Sequence, residues 1–552
     1  MLYPRALGIP ALRTTVAALL CAVGACTAQT PVILISIDTL RADHTGARTP
    51  GINSYAEHGT IFTQAETQIP FTLPSHTVTM TSTYPFRNGV EENAGKVPEG
   101  LETLASVLKA HGYQTAAFIG SIFLERQLGL DRGFDNYDSP FSFEAFSKLS
   151  GSLLFGGGAH NPYSVRERRP AALVLRAANQ WLAARRGQPV FAFLHFFDAH
   201  QPYRLGSYDA EVAALDQLLA GFQQTLKRDG WWDRSLVIVT ADHGEGLGDH
   251  GESDHGYFVY ESTMHVPLLI HWPEGGRSMP ARRDDPVGLI DIAPTVLDLL
   301  KIPAPASFEG RSLFDMGPRP VIGESTYGRD SFGWSAIRAI REGPLKYIEA
   351  PRPELYNIAK DQGERTNLIA TDLKDALRLR AELQRLAAAP VKPSLAGRID
   401  PQRSQEVLRS LGYIAPGPQA ATGAAQPADP KDRLPELLRY EDALNRMSEK
   451  RYDAAIAILR SILATDPRNL LARRDLGVAL IEKQDYAAAI AELRQVAGSA
   501  GDDYVTRYEL GIAEEGAEHY PEAVTQFEAA CRIAPGAAQC QDSLERVRRK
   551  IP

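Results

Sequence analysis

The chain has 552 residues, 44% of them hydrophobic and 23% charged, which is enough apolar material for more than one core. Lys and Arg number 59 against 67 Asp and Glu, a net charge of −8. That balance leaves no basic footprint, and nucleic acid is set aside as a partner.

Residues 1–30 read as a secretory signal. Arg5 and Arg13 precede an apolar run from Val16 to Ala25, and no acidic residue occurs before Asp38. The run is short for a membrane span. Val23-Gly24-Ala25-Cys26 resembles a bacterial lipoprotein cleavage box with Cys26 as the lipidated residue; plain cleavage near Ala28 is the alternative. Either way the chain is expected to be exported, to a bacterial periplasm or lipid-anchored to the cell envelope. Such an anchor would be its one membrane contact.

Pro31 to Ile37 is an unbroken apolar run that predicts a strand buried on both faces, ending in Asp38. Leu101, Leu104, Ala105 and Leu108 make a helical stripe stopped by Gly112, and Thr115 to Gly120 predicts a strand. Residues 140–164 are rich in Gly and Ser and read as a loop. Pro170 opens a helix expected to turn Leu173, Val174, Ala177, Ala178, Trp181 and Leu182 inward. Val190 to Phe197 is a third strand, ending at Asp198, and Val212, Leu215, Leu219, Phe222 and Leu226 mark the next helix. Leu236 to Val239 is again a buried strand. Thr240, Asp242 and His243 follow it, then glycines at 244, 246, 248 and 251, with His255 in the same loop. Val266 to His271 is a further strand, and Trp334 to Ile340 with Leu345 to Ile348 suggests a hairpin in a smaller subdomain. Strands alternating with helices predict an α/β sandwich with a largely parallel central sheet. Its sites belong at the carboxyl ends of the strands.

Residues 415–430 cannot bury much and read as a linker. Beyond it the chain repeats every 34 residues. Tyr452, Tyr486 and Tyr520 share one column; Leu459, Leu493 and Phe527 share another; Leu476-Gly477 recurs as Leu510-Gly511. Residues 431–552 thus resemble three tetratricopeptide repeats, an all-α array, closed by a polar helix over 542–550. Such repeats imply a protein or peptide partner. The array is expected to act as a tether that a small ester substrate does not need. Cys531 and Cys540 either pair or pack as two small thiols.

Residues 31–414 resemble the sulfatase branch of the alkaline phosphatase superfamily. The resemblance rests on ISIDTLRADHTG (35–46), FTLPSHTVTMTSTYP (71–85), GLDRGFDNYD (129–138), HFFDAHQPY (195–203), TADHGEGLGDHGESDHG (240–256), HVPLLI (265–270), DIAPTVLDLL (291–300) and ELYNIAKDQGERTNL (354–368). It implies an alkaline-phosphatase-like fold and a divalent metal (zinc, manganese or calcium) held by Asp38, Asp242 and His243. Formylglycine-dependent sulfatases carry Cys or Ser where this chain has Thr72, and arginine where it has His76. Threonine cannot yield the formylglycine aldehyde. What remains resembles the threonine-using phosphodiesterases and phosphotransferases, in which the hydroxyl is the nucleophile. Pro74 favours a helix start, so Thr72 is expected just before a helix N-terminus that welcomes an anion.

Asn93 matches, by spacing, an asparagine that donates to bound phosphate in that branch; a plain loop asparagine is the alternative. Asp198, His200 and His255 are implied either as holders of a second metal or as groups that bind the substrate anion. Seven of the thirteen histidines fall between 195 and 271. Of these, His250, His265 and His271 are expected to pack or support rather than ligate. The expected activity is metal-dependent hydrolysis or transfer of phosphate or sulfate esters, phosphodiesters favoured. The rivals are sulfate ester hydrolysis without formylglycine, and an envelope scaffold working through its repeats.

Overall fold

The computed structural model describes residues 29–93, 95–141, 168–315, 317, 319–388, 427–500, 504–533 and 538–551. The expected signal with Cys26, most of the 140–164 loop and most of the 415–430 linker lie outside these residues.

Nine strands form the main sheet. They are β1 (Val32–Ile37), β2 (Thr60–Glu66), β3 (Gln114–Phe118), β4 (Asn136–Asp138), β5 (Val190–Phe196), β6 (Leu236–Thr240), β7 (His265–His271), β8 (Arg282–Arg283) and β9 (Val287–Gly288). The order is β4-β3-β5-β1-β6-β7-β2-β8, with β9 also on β2. From β4 to β6 neighbours run parallel, while β7 is antiparallel to both β6 and β2. Every residue of β1, β5 and β6 is buried, as their unbroken apolar runs require. β1 lies between β5 and β6, with Ser36 level with both His195 and Thr240. That register brings Asp38, His195, Asp242 and His243 to one sheet edge.

Helix α1 (Thr72–Thr81) is buried along its whole length. It begins two residues before Pro74. A proline in the first turn costs nothing there, because the leading N–H groups have no helical acceptor. α2 (Leu104–Ala110) opens with a capping box between Thr103 and Ser106. α3 (Ala171–Ala183) buries Ala171, Val174, Leu175, Ala178, Trp181 and Leu182. Leu173, expected inward, is 40% exposed. Leu175 takes its place, because 171, 174, 175 and 178 share one face of a 3.6-residue helix. α4 (Tyr208–Arg228) and α5 (Ile292–Leu299) complete this layer.

The suggested hairpin is the centre of a four-stranded antiparallel sheet: β10 (Val321–Ser325), β11 (Ile337–Glu342), β12 (Leu345–Glu349) and β13 (Glu354–Asn357). α6 (Leu373–Ala388) covers it with Ala376, Leu379 and Leu383.

Helix pairs follow: α7 (Pro430–Ser448) with α8 (Tyr452–Thr465), α9 (Leu470–Glu482) with α10 (Tyr486–Ala500), α11 (Tyr504–Gly516) with α12 (Tyr520–Ile533), then α13 (Ala538–Arg548). The repeated glycines have a packing reason. A Cβ at Gly477 would lie 2.6 Å from Leu493, and one at Gly511 would lie 2.7 Å from Phe527. A disulfide joins Cys531 to Cys540. Among the described residues, no helix is long and apolar enough to cross a membrane.

The array is not a loose tether. Leu437, Tyr440, Ala443 and Leu444 of α7 share one apolar cluster with Phe71, Tyr257, Phe332 and Trp334 of the sheet domain. Backbone bonds pin the junction: Ser335 N donates to Ala428 O at 2.9 Å, and Arg352 N donates to the Asp429 carboxylate at 2.9 Å. Removing α7 would strip that cluster of its helix side chains.

Candidate active site

The Thr72 hydroxyl donates to Asp38 Oδ2 at 3.2 Å. Asp242 lies beside them, its Oδ1 accepting from the backbone N–H groups of Thr39 at 3.3 Å and His243 at 2.9 Å. His243 donates from Nδ1 to the Gly244 carbonyl at 2.9 Å. That bond leaves the Nε2 lone pair directed elsewhere. Asp38 Oδ1, Asp242 Oδ2 and His243 Nε2 are all buried with no hydrogen-bond partner among the described residues. One ligand atom from each of these three residues lies within 4.8 Å of the others.

Burial pushes the Asp38 carboxyl up to about 7, and burial plus the Asp38 charge pushes Asp242 well above the carboxylate range. Burial, then His255, holds His243 well below the usual imidazole range. Two crowded carboxylates and a neutral imidazole, each with an unused lone pair, are a donor set that fits a divalent cation.

His76, in place of the family arginine, lies one turn after Thr72. Its Nδ1 donates to the Thr72 carbonyl at 2.7 Å, so Nε2 accepts from the Ser36 hydroxyl at 2.9 Å. Nδ1 is also 3.6 Å from Asp242 Oδ2. His195 packs edge-on to His76 and brings Nε2 to 3.4 Å from Asp38 Oδ2. Burial holds His76 down to about 4 and His195 to about 3, so both are neutral. The sequence reading gave His195 no role. Its signal was the strand register that sets it level with Ser36, two residues before Asp38.

Asn93 sits at the same helix start, where its Oδ1 accepts from Leu73 N at 2.9 Å. The side-chain carbonyl caps α1 one residue after Thr72.

The expected trio of Asp198, His200 and His255 is not assembled. Asp198 accepts from Ala171 N at 3.0 and 3.2 Å and caps α3, whose own N-cap, Pro170, offers no side-chain acceptor. Asp254 stands in its place, within 4.8 Å of His200 and His255. His255 Nδ1 lies 2.8 Å from Asp254 and 3.1 Å from Glu245. Burial opposes protonation of His255, but Asp254 and Glu245 outweigh it and raise the imidazole well above its ordinary range. His200 donates from Nδ1 to the Gln201 carbonyl at 2.6 Å, which frees Nε2. Arg168 fixes that turn. It donates to the carbonyls of His200, Gln201 and Pro202 and lies over Phe197, which stacks on His200 at 4.3 Å.

The remaining histidines stay outside this centre. His250 stacks on Tyr260, His265 bonds the Thr63 carbonyl, and His271 stacks on Trp232.

Residues 30–302 match the family model of the sulfatases, and residues 446–510 match a tetratricopeptide repeat model. Arylsulfatase K of Danio rerio is 30% identical over 221 residues, which is 37% of this chain and 41% of that relative. Arylsulfatase K of Rattus norvegicus is 23% identical over 433 residues, covering 63% of this chain and 76% of the relative. The chain therefore spans less than half the length of the zebrafish relative in that match. The crystal structure of a phosphonate monoester hydrolase from Agrobacterium radiobacter aligns over 65% of this chain and 96% of its own, with TM-score 0.54 and 19% identity. The fold is the alkaline-phosphatase-like one.

Proposed function

We propose that this chain, a sulfatase-family hydrolase domain followed by tetratricopeptide repeats, is an exported, metal-dependent enzyme that uses Thr72 to cleave or transfer phosphate esters, with phosphodiesters preferred. One observation carries the proposal. The Thr72 hydroxyl, at the N-terminus of a buried helix, contacts Asp38, which with Asp242 and His243 brings three ligand atoms within 4.8 Å of one another.

A divalent cation held by Asp38, Asp242 and His243 would lower the hydroxyl's pKa and offset the ester's negative charge. The residues themselves do the rest. Thr72 Oγ1 attacks phosphorus, the alcohol departs, and water or an acceptor alcohol then releases the phosphoryl group from Thr72. The α1 N-terminus and the Asn93 amide favour the charge that builds on the ester oxygens. His200 and His255, with Asp254, would hold either a second cation or the substrate anion.

A second reading is sulfate ester hydrolysis. It is favoured by the family match and by the arylsulfatases among the relatives. Because threonine cannot become formylglycine, that reading also needs the Thr72 hydroxyl itself. We further propose that the array binds a protein or peptide partner. Export is supported by the Cys531–Cys540 disulfide, a bond at home in oxidising compartments.

The test is turnover of a nitrophenyl phosphodiester, phosphomonoester and sulfate by protein loaded with zinc, manganese or calcium. Turnover lost on chelation and restored by metal supports the proposal. A metal-loaded chain inert to all three contradicts it.

A further inference from the structure

The repeat domain reaches the candidate active site. Helix α7 lies along the glycine-rich loop that carries Asp254 and His255. The contact at Gly251 is tight: a Cβ there would fall 2.3 Å from Leu434 Cδ2. Two turns further along α7, Glu441 Oε2 accepts from the Ser253 hydroxyl at 3.0 Å. Ser253 immediately precedes Asp254, whose carboxylate is 2.8 Å from His255 Nδ1. Burial, then the Asp254 charge, pushes the Glu441 carboxyl up to about 7, and the side chain is half-buried. The helix cannot drift away from this position. Tyr440, next in sequence, meets Phe332 edge-on at 5.8 Å, and the junction bonds at Ala428 and Asp429 hold the helix start.

We infer that α7 is a wall of the substrate cleft and that Glu441 is a selectivity residue supplied by the repeats, favouring esters whose leaving group carries a cationic or hydrogen-bond-donating substituent and disfavouring those with an added anionic one. The chemistry is simple. The inner site takes an anion, and above about pH 7 the rim just outside it carries a carboxylate. A leaving group crossing that rim meets a negative potential.

The inference rests on the ester-site reading, and its test separates the two. Three non-hydrolysable probes are titrated by calorimetry at pH 8.5, where Glu441 is ionised, into metal-loaded full-length protein: phenylphosphonate, its 4-aminomethyl derivative and its 4-carboxy derivative. The wild type should bind the aminomethyl probe roughly fivefold more tightly than the carboxy probe, the scale of a rim ion pair. Glu441→Gln should bring the two together, and Glu441→Lys should reverse their order, with plain phenylphosphonate moved least. Ratios that stay the same in all three proteins overturn this inference alone. No binding of any probe to metal-loaded wild type overturns the ester-site reading and this inference with it.

Discussion

Thr72 Oγ1 and Asp38 Oδ2 lie 3.2 Å apart, although 34 residues separate them in the chain. β1 supplies one at its carboxyl end and α1 supplies the other at its first residue. Asp38 is fully buried, and its second oxygen has no hydrogen-bond partner among the described residues. A hydroxyl held against a carboxylate that lies close to the ligand atoms of Asp242 and His243 is the central feature of this site.

Removing a ligand should remove the metal. Asp38→Asn and Asp242→Asn keep the shape and lose the charge. Each should lower metal affinity and turnover by at least ~10²-fold, since even supporting residues of metal sites cost 10- to 100-fold. Metal content after dialysis checks this. Variants that retain a full equivalent would contradict the ligand assignment.

Metal binding should tighten with rising pH. Burial raises Asp38 to about 7 in the metal-free protein, so below that pH its carboxyl is largely protonated. A cation needs the carboxylate, and must displace the proton first. Apparent affinity should therefore climb from pH 5 through about pH 8, and Asp242, raised by burial and by the Asp38 charge, adds to the climb. More protons should be released per metal at pH 6 than at pH 8. Calorimetry in buffers of different ionisation heat measures both, and a flat profile would count against the assignment.

His76 joins α1 to β1, bonding the Thr72 carbonyl and the Ser36 hydroxyl. His76→Ala leaves the buried Ser36 hydroxyl without this partner and opens a void. It should cost ~1–3 kcal/mol, read from the denaturant midpoint. An unchanged midpoint would mean these bonds do not hold Thr72 in place.

A buried ion network joins the two sheets. Lys346 contacts Glu261 at 2.9 Å and Glu364 at 3.0 Å, and Arg341 contacts Glu66 and Glu261. Lys346→Met takes the cation from buried Glu364 and leaves Glu261 with Arg341, and should cost ~3–5 kcal/mol. The loss should be partly recovered when Glu364→Gln is added, because that glutamate is already pushed up to about 8, chiefly by burial. Additive losses in the double variant would contradict the coupling.

The strands that carry the metal candidates were legible because β1, β5 and β6 are unbroken apolar runs, and their polar ends announce a site. The repeats were legible from spacing alone. Asp198 misled because strand-end position does not tell which way a side chain turns. An α3 start with proline as its N-cap claimed the carboxylate, and Asp254 from a neighbouring loop filled the vacated role. Arg168 works through backbone carbonyls, which leave no trace in a motif. The docking of α7 was equally hidden. Nothing in the repeat spacing marks Leu437 or Tyr440, and only the fold reveals that they share a cluster with the sheet domain.

The central claim is that Thr72 is the nucleophile, and intact-mass spectrometry of metal-loaded protein during turnover tests it most directly. Wild type quenched while cleaving a nitrophenyl phosphodiester should carry a transient phosphoryl adduct that peptide mapping assigns to Thr72. Thr72→Ala should show neither adduct nor turnover. Steady turnover by Thr72→Ala, or an adduct mapped to another residue, would contradict the account.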